Sequence, residues 1–334
     1  MIRRISAVIL ALAMLLVLSG CGQNSSAMIM VGLAMTGEDE STGIGGDIQA
    51  ALEEAGHTVE LAYGATAQEQ TEQISDLVKD GAAVLVVHPV DSVAVEELFK
   101  SGKSDVSNVA VIACGAPIAD ESVKAYIGPD LSEAGRQQAE QVVKELALDE
   151  GPIEKPCTVE LVAGNGAGQA IGGAMEVLQP YVDKGAVAIS SGTDVAACHT
   201  LDAAGRIREL CSGIYADQEL NAVLCLGEGQ TEQVIAALKE NYTGAAWPVV
   251  TGYGCNEELV ADLAAHMLSM VTYAEELTKE QLTEKTVALA DASTEEETQD
   301  SLTPCTAVTG SNYKELLVET GLYTAHKGGT FTKN

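Results

Sequence analysis

The sequence predicts an α/β protein with two doubly wound parallel-sheet domains. Short, continuously apolar segments alternate with segments in which apolar residues recur at helical spacing. From residue 158 onward the same alternation starts again. Buried strands separated by helices form right-handed βαβ units, and helices then cover both faces of their parallel sheet. With 334 residues, the chain is long enough for two such cores.

Helix starts and stops delimit the elements of the first half. Thr66 and Glu69 have the spacing of a capping box, and Gly56 and Gly81 follow the last apolar residues of two helices. The predicted strands are 28–35, 57–63, 82–87 and 108–113, and the predicted helices are 44–55, 66–78 and 91–100.

The second half repeats this order. A glycine-rich loop at 164–168 leads from its first strand into a helix that reaches Leu178. Further strands are predicted at 158–163, 187–190, 222–226 and 248–251, and further helices at 202–215 and 230–240. The polar segment 290–300 has no periodicity and is predicted to be an exposed loop. A strand at 302–308 and a final helix at 311–320 complete the prediction.

The N-terminus has the pattern of an export signal. Two arginines precede an apolar stretch from Ala7 to Leu18, which is short for a membrane span. The ending Leu-Ser-Gly-Cys21 resembles a bacterial lipobox, in which the cysteine is acylated and becomes the first mature residue. We therefore expect a signal peptide at 1–20, a lipid on Cys21 and a tether at 21–27. An ordinary cleaved signal with a chance cysteine is the alternative. Either way, the mature protein is expected outside the cytoplasm.

Charge excludes two classes of partner. The formal net charge is −31, and removal of Arg3 and Arg4 would leave 16 basic against 49 acidic residues. Such a chain repels nucleic acid and anionic lipid, so membrane contact is expected through the lipid anchor alone. Aromatic residues are scarce, with two Phe, one Trp and nine Tyr.

Seven cysteines remain after Cys21, and no two have Cys-x-x-Cys spacing. An odd number leaves at least one unpaired. Several lie in apolar runs, where cysteine is a small core residue, although one disulfide stays possible.

Signatures of catalysis and of cofactor binding are missing. The sequence has no His-Glu-x-x-His, Gly-x-Ser-x-Gly or Walker motif. Its two Gly-x-Gly loops, at 43–45 and 164–166, lack the third glycine of the dinucleotide fingerprint. The five histidines are single, and each is expected at the surface rather than on a metal. We expect no enzyme activity, no cofactor and no metal.

Several segments resemble ribose-, xylose- and multiple-sugar-type periplasmic binding proteins. The strand-loop-helix at 85–95 is similar to the ribose type, and segments 159–165 and 173–183 resemble the opening of the second domain in the others. The similarity covers residues 28–323 in order. It implies the type I periplasmic binding protein fold, with crossovers near 126–130, 270–274 and 302–306. The implied domains are 28–127 with 274–304, and 128–273 with 305–330.

The resemblance also implies ligand-binding positions in the cleft, beyond the carboxyl ends of the strands. Asp91 matches a sugar-binding Asp, and its alternative role, a helix N-cap, is compatible. Glu228 stands where the family has a cleft Asp, whereas Cys114-Gly115 replaces an Asp-Arg pair. The full set of candidate ligand residues is Glu38, Asp39, Asp91, Cys114, Asp130, Gln169, Glu228 and Tyr253.

The expected function is that of a monomeric, lipid-anchored solute-binding protein. It would close on a monosaccharide and deliver it to an ABC permease. The same fold binding a nucleoside, an amine or a signalling furanose is one alternative, and a sensory module is another. The resemblance puts Cys114-Gly115 where the family has an Arg-bearing pair, and five carboxylates could face one cleft: Glu38, Asp39, Glu40, Asp91 and Glu228. The cleft is therefore expected to disfavour anionic ligands.

Overall fold

A computed structural model of the chain describes residues 28–151, 155–190, 192–275, 277–292 and 299–334. The predicted signal peptide, lipobox Cys21 and tether lie outside the described residues. The strands are β1 (Met30–Thr36), β2 (Thr58–Gly64), β3 (Val84–Val87), β4 (Ala110–Cys114), β5 (Val123–Pro129), β6 (Cys157–Ala163), β7 (Val187–Ile189), β8 (Ala222–Leu226), β9 (Val249–Tyr253), β10 (Met270–Ala274), β11 (Ser301–Thr303), β12 (Cys305–Thr309), β13 (Tyr323–Ala325) and β14 (Phe331–Lys333).

Helices follow most of these strands. They are α1 (Gly37–Thr42), α2 (Ile44–Glu54), α3 (Ala67–Lys79), α4 (Ser92–Lys100), α5 (Leu131–Glu145), α6 (Ala167–Asp183), α7 (Val195–Cys198), α8 (Ala203–Ser212), α9 (Gln230–Asn241), α10 (Glu257–Ala264) and α11 (Lys279–Ala292). A 3₁₀ turn (Ile214–Ala216) and a π-helical turn (Lys314–Val318) complete the helical structure described.

Two six-stranded sheets form the centres of two domains. The first has the order β11-β5-β4-β3-β1-β2 and is parallel throughout. The second has the order β12-β10-β9-β8-β6-β7, and only its edge strand β12 is antiparallel. Each sheet carries an apolar cluster on both faces, as expected for parallel strands that are apolar without alternation. The predicted α/β fold class is confirmed.

The chain passes between the two sheets three times. It crosses from β5 to α5, from β10 to α11, which packs against α2 of the first domain, and from β11 to β12. Thr303 and Cys305 belong to different sheets and are separated by Pro304 alone. Because proline has no N–H and a fixed φ, it interrupts the ladder at this point. The single strand predicted at 302–308 was therefore wrong.

Two other expectations near the C-terminus were also wrong. Ala290 was predicted in an exposed loop, but it is fully buried in the last turns of α11. The helix predicted at 311–320 is the shorter π-helical turn, followed by the hairpin of β13 and β14. That hairpin bonds to α10, where Lys333 N donates to Glu257 Oε1 at 2.9 Å.

Helices α5 and α6 cross at unusually close range in the second domain. A Cβ added at Gly173 would lie 1.9 Å from the carbonyl oxygen of Ser132, and one added at Gly135 would lie 2.0 Å from that of Ala170. Glycine is therefore required at both positions. The backbones of the two helices are therefore in contact.

The seven cysteines after Cys21 are all free thiols. Burial raises the pKa of each of them, for example that of Cys198 to about 11 and that of Cys305 to about 12. Five of them are buried, whereas Cys157 and Cys255 are partly buried, and the structure shows no disulfide between the seven. No helix within the described ranges is both long and apolar enough to span a membrane.

Candidate functional site

The loop after β3 meets the loop after β6 across the space between the domains. Asn165 Oδ1 accepts from the backbone N–H of Ser92 at 2.9 Å, and its Nδ2 donates to the carbonyls of Pro89 at 3.3 Å and Val90 at 3.2 Å. The N–H of Gly166 donates to Ser92 Oγ at 3.0 Å. We call these four hydrogen bonds the cross-cleft contact. They join the carboxyl ends of both sheets, where α/β proteins bind ligands.

Glycine at position 166 makes this close approach possible. Its φ is +72°, a backbone conformation that residues with a side chain rarely adopt. A Cβ there would lie 2.4 Å from Leu131 Cδ1 and 2.8 Å from Pro117 Cδ. The backbone can therefore reach Ser92 only because residue 166 has no side chain.

A buried glutamine fixes the other side of the contact. Gln70 on α3 donates to the carbonyl of His88 at 2.7 Å and accepts from the N–H of Val90 at 2.8 Å. Its side chain is fully buried. Since both ends of the amide are engaged, the loop after β3 is held in one conformation.

Asp91 bonds to its own helix and to the opposite domain. Its Oδ1 accepts from the N–H groups of Val93 at 3.0 Å and Ala94 at 3.3 Å, which is the N-cap arrangement for α4. The same oxygen lies 3.2 Å from His199 Nε2. The hydrogen bond from His199 lowers the pKa of Asp91 despite partial burial, and it raises the pKa of His199. Asp91 and His199 thus form an ion pair between the two domains.

Asp39 forms a second carboxylate–imidazole pair, within the first domain. It is the third residue of α1, where its carboxylate accepts from the N–H and hydroxyl of Thr36 in a capping box. Its two oxygens lie 3.0 and 2.9 Å from His88 Nδ1. Burial would raise the pKa of Asp39, but the bonds from His88 and Thr36 lower it below its ordinary value. The carboxylate is therefore ionised at neutral pH.

The carboxyl end of β4 lies beside this pair. Cys114 is buried in the core, and burial raises the pKa of its thiol to about 12. Gly115 has a φ of +70°, and a Cβ there would lie 2.4 Å from His88 Nε2. The imidazole of His88 thus occupies the space that a side chain at position 115 would need.

The other candidates are distributed around the strand ends. Asp130 caps α5 by accepting from Glu133 N at 2.9 Å, and its own N–H donates to Thr303 O at 2.9 Å, so it joins two of the crossings. Tyr253 ends β9 and is partly buried. The side chains of Glu38, Gln169 and Glu228 are exposed, on α1, on α6 and in the loop before α9. In the structure, Asp39 and Asp91 each pair with a histidine, whereas the side chain of Cys114 lies in the core.

Acceptor oxygens and imidazole nitrogens at the strand ends suit a ligand with several hydroxyl groups. Within the described ranges, no cluster of three or more His, Cys, Asp or Glu could hold a metal ion.

Comparison with known proteins agrees with this arrangement. Residues 34–294 match the family described as periplasmic binding protein domain. The chain belongs to the periplasmic binding protein family. The multiple sugar-binding periplasmic receptor ChvE of Rhizobium radiobacter is 29% identical over 326 residues, covering 88% of this chain and 91% of ChvE. The multiple sugar-binding periplasmic protein SbpA of Azospirillum brasilense is 28% identical, covering 88% of this chain and 89% of SbpA.

Solved structures show the same fold. An ABC transporter solute-binding protein from Clostridium phytofermentans with bound β-D-glucose matches with a TM-score of 0.64 and 27% identity, over 88% of this chain and 98% of that one. A carbohydrate transporter solute-binding protein from Chloroflexus aurantiacus, in complex with D-glucose, matches with a TM-score of 0.57 and 20% identity, over 88% and 96% of the two chains. The type I fold implied by the sequence resemblance is thereby confirmed for this periplasmic binding protein.

Sequence reasoning missed three residues of the site in this periplasmic binding protein: His88, His199 and Asn165. His88 and His199 were expected at the surface, but each faces a carboxylate. Outside the site, His57 is buried as well, and its Nε2 lies 2.9 Å from Asp291 Oδ1. Asn165 was not selected, although its position between two glycines is a signal for a special turn. The pairing of each histidine depends on residues far away in the sequence, which no spacing rule covers.

Proposed function

We propose that this protein captures a neutral monosaccharide between its two domains outside the cytoplasm and delivers it to an ABC importer. The observation that carries the proposal is the cross-cleft contact together with the Asp91–His199 ion pair, because both join the two domains at the ligand-binding ends of the sheets. Relatives named as sugar-binding receptors support the choice of ligand.

Ligand capture in this proposal is a hinge closure. The three crossings are the hinge, and the closed form is the one that the permease recognises. The proposed domain bounds are those given above, 28–127 with 274–304 and 128–273 with 305–330. They agree with strand membership to within two residues, because β5 ends at Pro129 and β10 at Ala274. The protein acts as a monomer anchored by Cys21, and it performs no covalent chemistry.

Asp91 is the proposed centre of the ligand site. The contacts given above, from Val93 N, Ala94 N and His199 Nε2, are all to Oδ1 of Asp91. Its Oδ2 is therefore the atom that would accept a hydrogen bond from a sugar hydroxyl. Asp39 has an indirect role in this proposal, because it holds the imidazole of His88 in place. We retain five other candidates as proposed ligand residues: Glu38, Asp130, Gln169, Glu228 and Tyr253. Cys114 is not retained, because its side chain is buried in the core.

A thermal-shift and calorimetric screen tests the proposal. The exported Cys21→Ala protein is mixed with D-glucose, D-xylose, D-arabinose, myo-inositol, adenosine, putrescine, D-glucuronate and glucose 6-phosphate. We expect neutral sugars to raise the melting temperature and the two anions to leave it unchanged, because an anion would lose hydration beside Asp39 and Asp91. A rise with adenosine or putrescine alone would overturn the sugar assignment. Micromolar binding of an anion would overturn the charge argument.

A further inference from the structure

A buried glutamine contacts three loops at the carboxyl edge of the second sheet. Gln230 is the first residue of α9, is only 3% exposed, and donates from Nε2 to the carbonyl of Thr200 at 2.6 Å. A Cβ built on Gly164 would lie 3.1 Å from its Nε2, and one built on Gly227 would lie 3.2 Å from its Oε1. The amide of Gln230 therefore fits between the loop after β6, the loop after β8 and the segment that follows α7.

The segment after α7 carries His199, which pairs with Asp91 of the opposite domain. The next residue, Thr200, is fixed at both backbone groups, because its N–H donates to the last residue of β6 at 2.9 Å and its carbonyl accepts from Gln230. The ring of His199 is bonded on two sides. Its Nδ1 donates to the carbonyl of Gly164 at 3.1 Å, and its Nε2 lies 3.2 Å from Asp91 Oδ1. The place of the imidazole thus depends on the loop after β6 and on the bond from Gln230.

Stability alone does not explain a glutamine at position 230. Within the described ranges, its buried Oε1 has no hydrogen-bond partner. A buried acceptor without a partner is costly, and an apolar side chain of the same length would avoid that cost. Gln138 on α5 shows the contrast, because it is fully buried and uses both ends of its amide. Its Nε2 donates to the carbonyl of Cys225 at 3.2 Å, and its Oε1 accepts from Thr251 Oγ1 at 3.0 Å.

We propose that Gln230 is a positioning residue, which holds the segment after α7 where the imidazole of His199 can pair with Asp91. The inference rests on the proposed function, because this pair joins the two domains of the closed form. Without the bond from Nε2, the carbonyl of Thr200 can turn, and His199 then spends part of its time away from Asp91. Each unpaired conformation lowers the closed fraction and with it the apparent affinity for sugar.

The test compares Gln230→Met with Gln138→Met, using D-glucose and D-xylose in titration calorimetry. Methionine is unbranched and adaptable, and it does not replace the amide donor. We expect Gln230→Met to bind sugar about fivefold more weakly, which is the effect of one lost hydrogen bond. Gln138→Met loses both bonds of a buried amide, so it should have the lower melting temperature of the two, whereas its sugar affinity should match that of the wild type.

The variant His199→Gln separates positioning from general packing. If Gln230 acts through His199, Gln230→Met should cause no further loss of affinity in the His199→Gln background, because the ion pair is already absent. Losses that add in the double variant would overturn the inference. Wild-type affinity in a folded Gln230→Met protein would overturn it as well.

A measurement on the wild type does not depend on the folding of any variant. A bond that favours the closed form must itself be favoured by closure, because coupling is reciprocal. Saturation with sugar should therefore slow hydrogen exchange of the Gln230 side-chain amide, followed by ¹⁵N NMR, more than that of Gln138. Equal changes at the two amides would overturn the inference and leave the proposed function in place. If neither sugar binds the wild type, the proposed function fails and the inference fails with it.

Discussion

Removal of the Asn165 side chain should shift the protein towards the open form. Asn165→Ala deletes three hydrogen bonds, to Ser92 N at 2.9 Å and to the carbonyls of Pro89 and Val90 at 3.3 and 3.2 Å. A typical bond contributes about 0.5–1.5 kcal/mol net, and the two long bonds belong at the lower end of that range. The closed form should therefore lose about 2 kcal/mol, which is roughly a thirtyfold change in the ratio of closed to open protein.

Calorimetry with D-glucose and small-angle scattering measure this change. If the sugar binds the closed form, its apparent dissociation constant should rise by up to about thirtyfold, because affinity scales with the closed fraction. The radius of gyration of the sugar-free protein should increase. Each domain keeps its own contacts, so the melting temperature should change little.

Asn221→Ala is the matched control. Asn221 Oδ1 accepts from Thr158 N at 2.8 Å, within the second domain and at the amino ends of its strands. This variant should lose stability, whereas its affinity for D-glucose should match that of the wild type. Wild-type affinity and an unchanged radius of gyration for Asn165→Ala would refute the closure mechanism.

Three further predictions test other parts of the molecule. The charge on His199 stabilises its pair with Asp91 and is lost as the pH rises through the raised pKa of His199, so sugar affinity should decline as the pH rises above the ordinary pKa of histidine. His199→Gln should abolish this decline, and a slope that persists would contradict the assignment. Gly173→Ala should destabilise the protein by about 3 kcal/mol in urea unfolding because its methyl group meets the backbone of α5, whereas Gly172→Ala, with open space around it, should be neutral or stabilising. Cys21→Ala should release the protein from the membrane fraction, and retention at the wild-type level would exclude the lipoprotein assignment.

The fold was predictable because its signals are local. Strands such as 82–87 and 222–226 are apolar at nearly every position, which only a sheet covered on both faces explains. The errors occurred where one residue changes the outcome. Pro304 divides one predicted strand between two sheets, and Ala290 is drawn into the core by the packing of α11 on α2.

The candidate site was predictable only in part. Asp91 stands at a helix start, so both of its expected roles could be inferred from one segment of sequence. His88 pairs with a carboxylate 49 residues away in the sequence, and His199 pairs with a carboxylate of the opposite domain. Such pairs depend on the final arrangement of strand ends. No periodicity or motif in the sequence encodes that arrangement directly.

The free thiols have a consequence for how this protein can be made. Disulfide exchange requires a thiolate, and burial raises the pKa of all seven cysteines that the structure describes. The folded protein has no disulfide between these residues, so folding should need no oxidant. Burial protects the thiols only after folding, because in the unfolded chain they are exposed and have ordinary pKa values. Recombinant production should therefore give the higher yield of native protein in a reducing cytoplasm, where the unfolded chain cannot form disulfides.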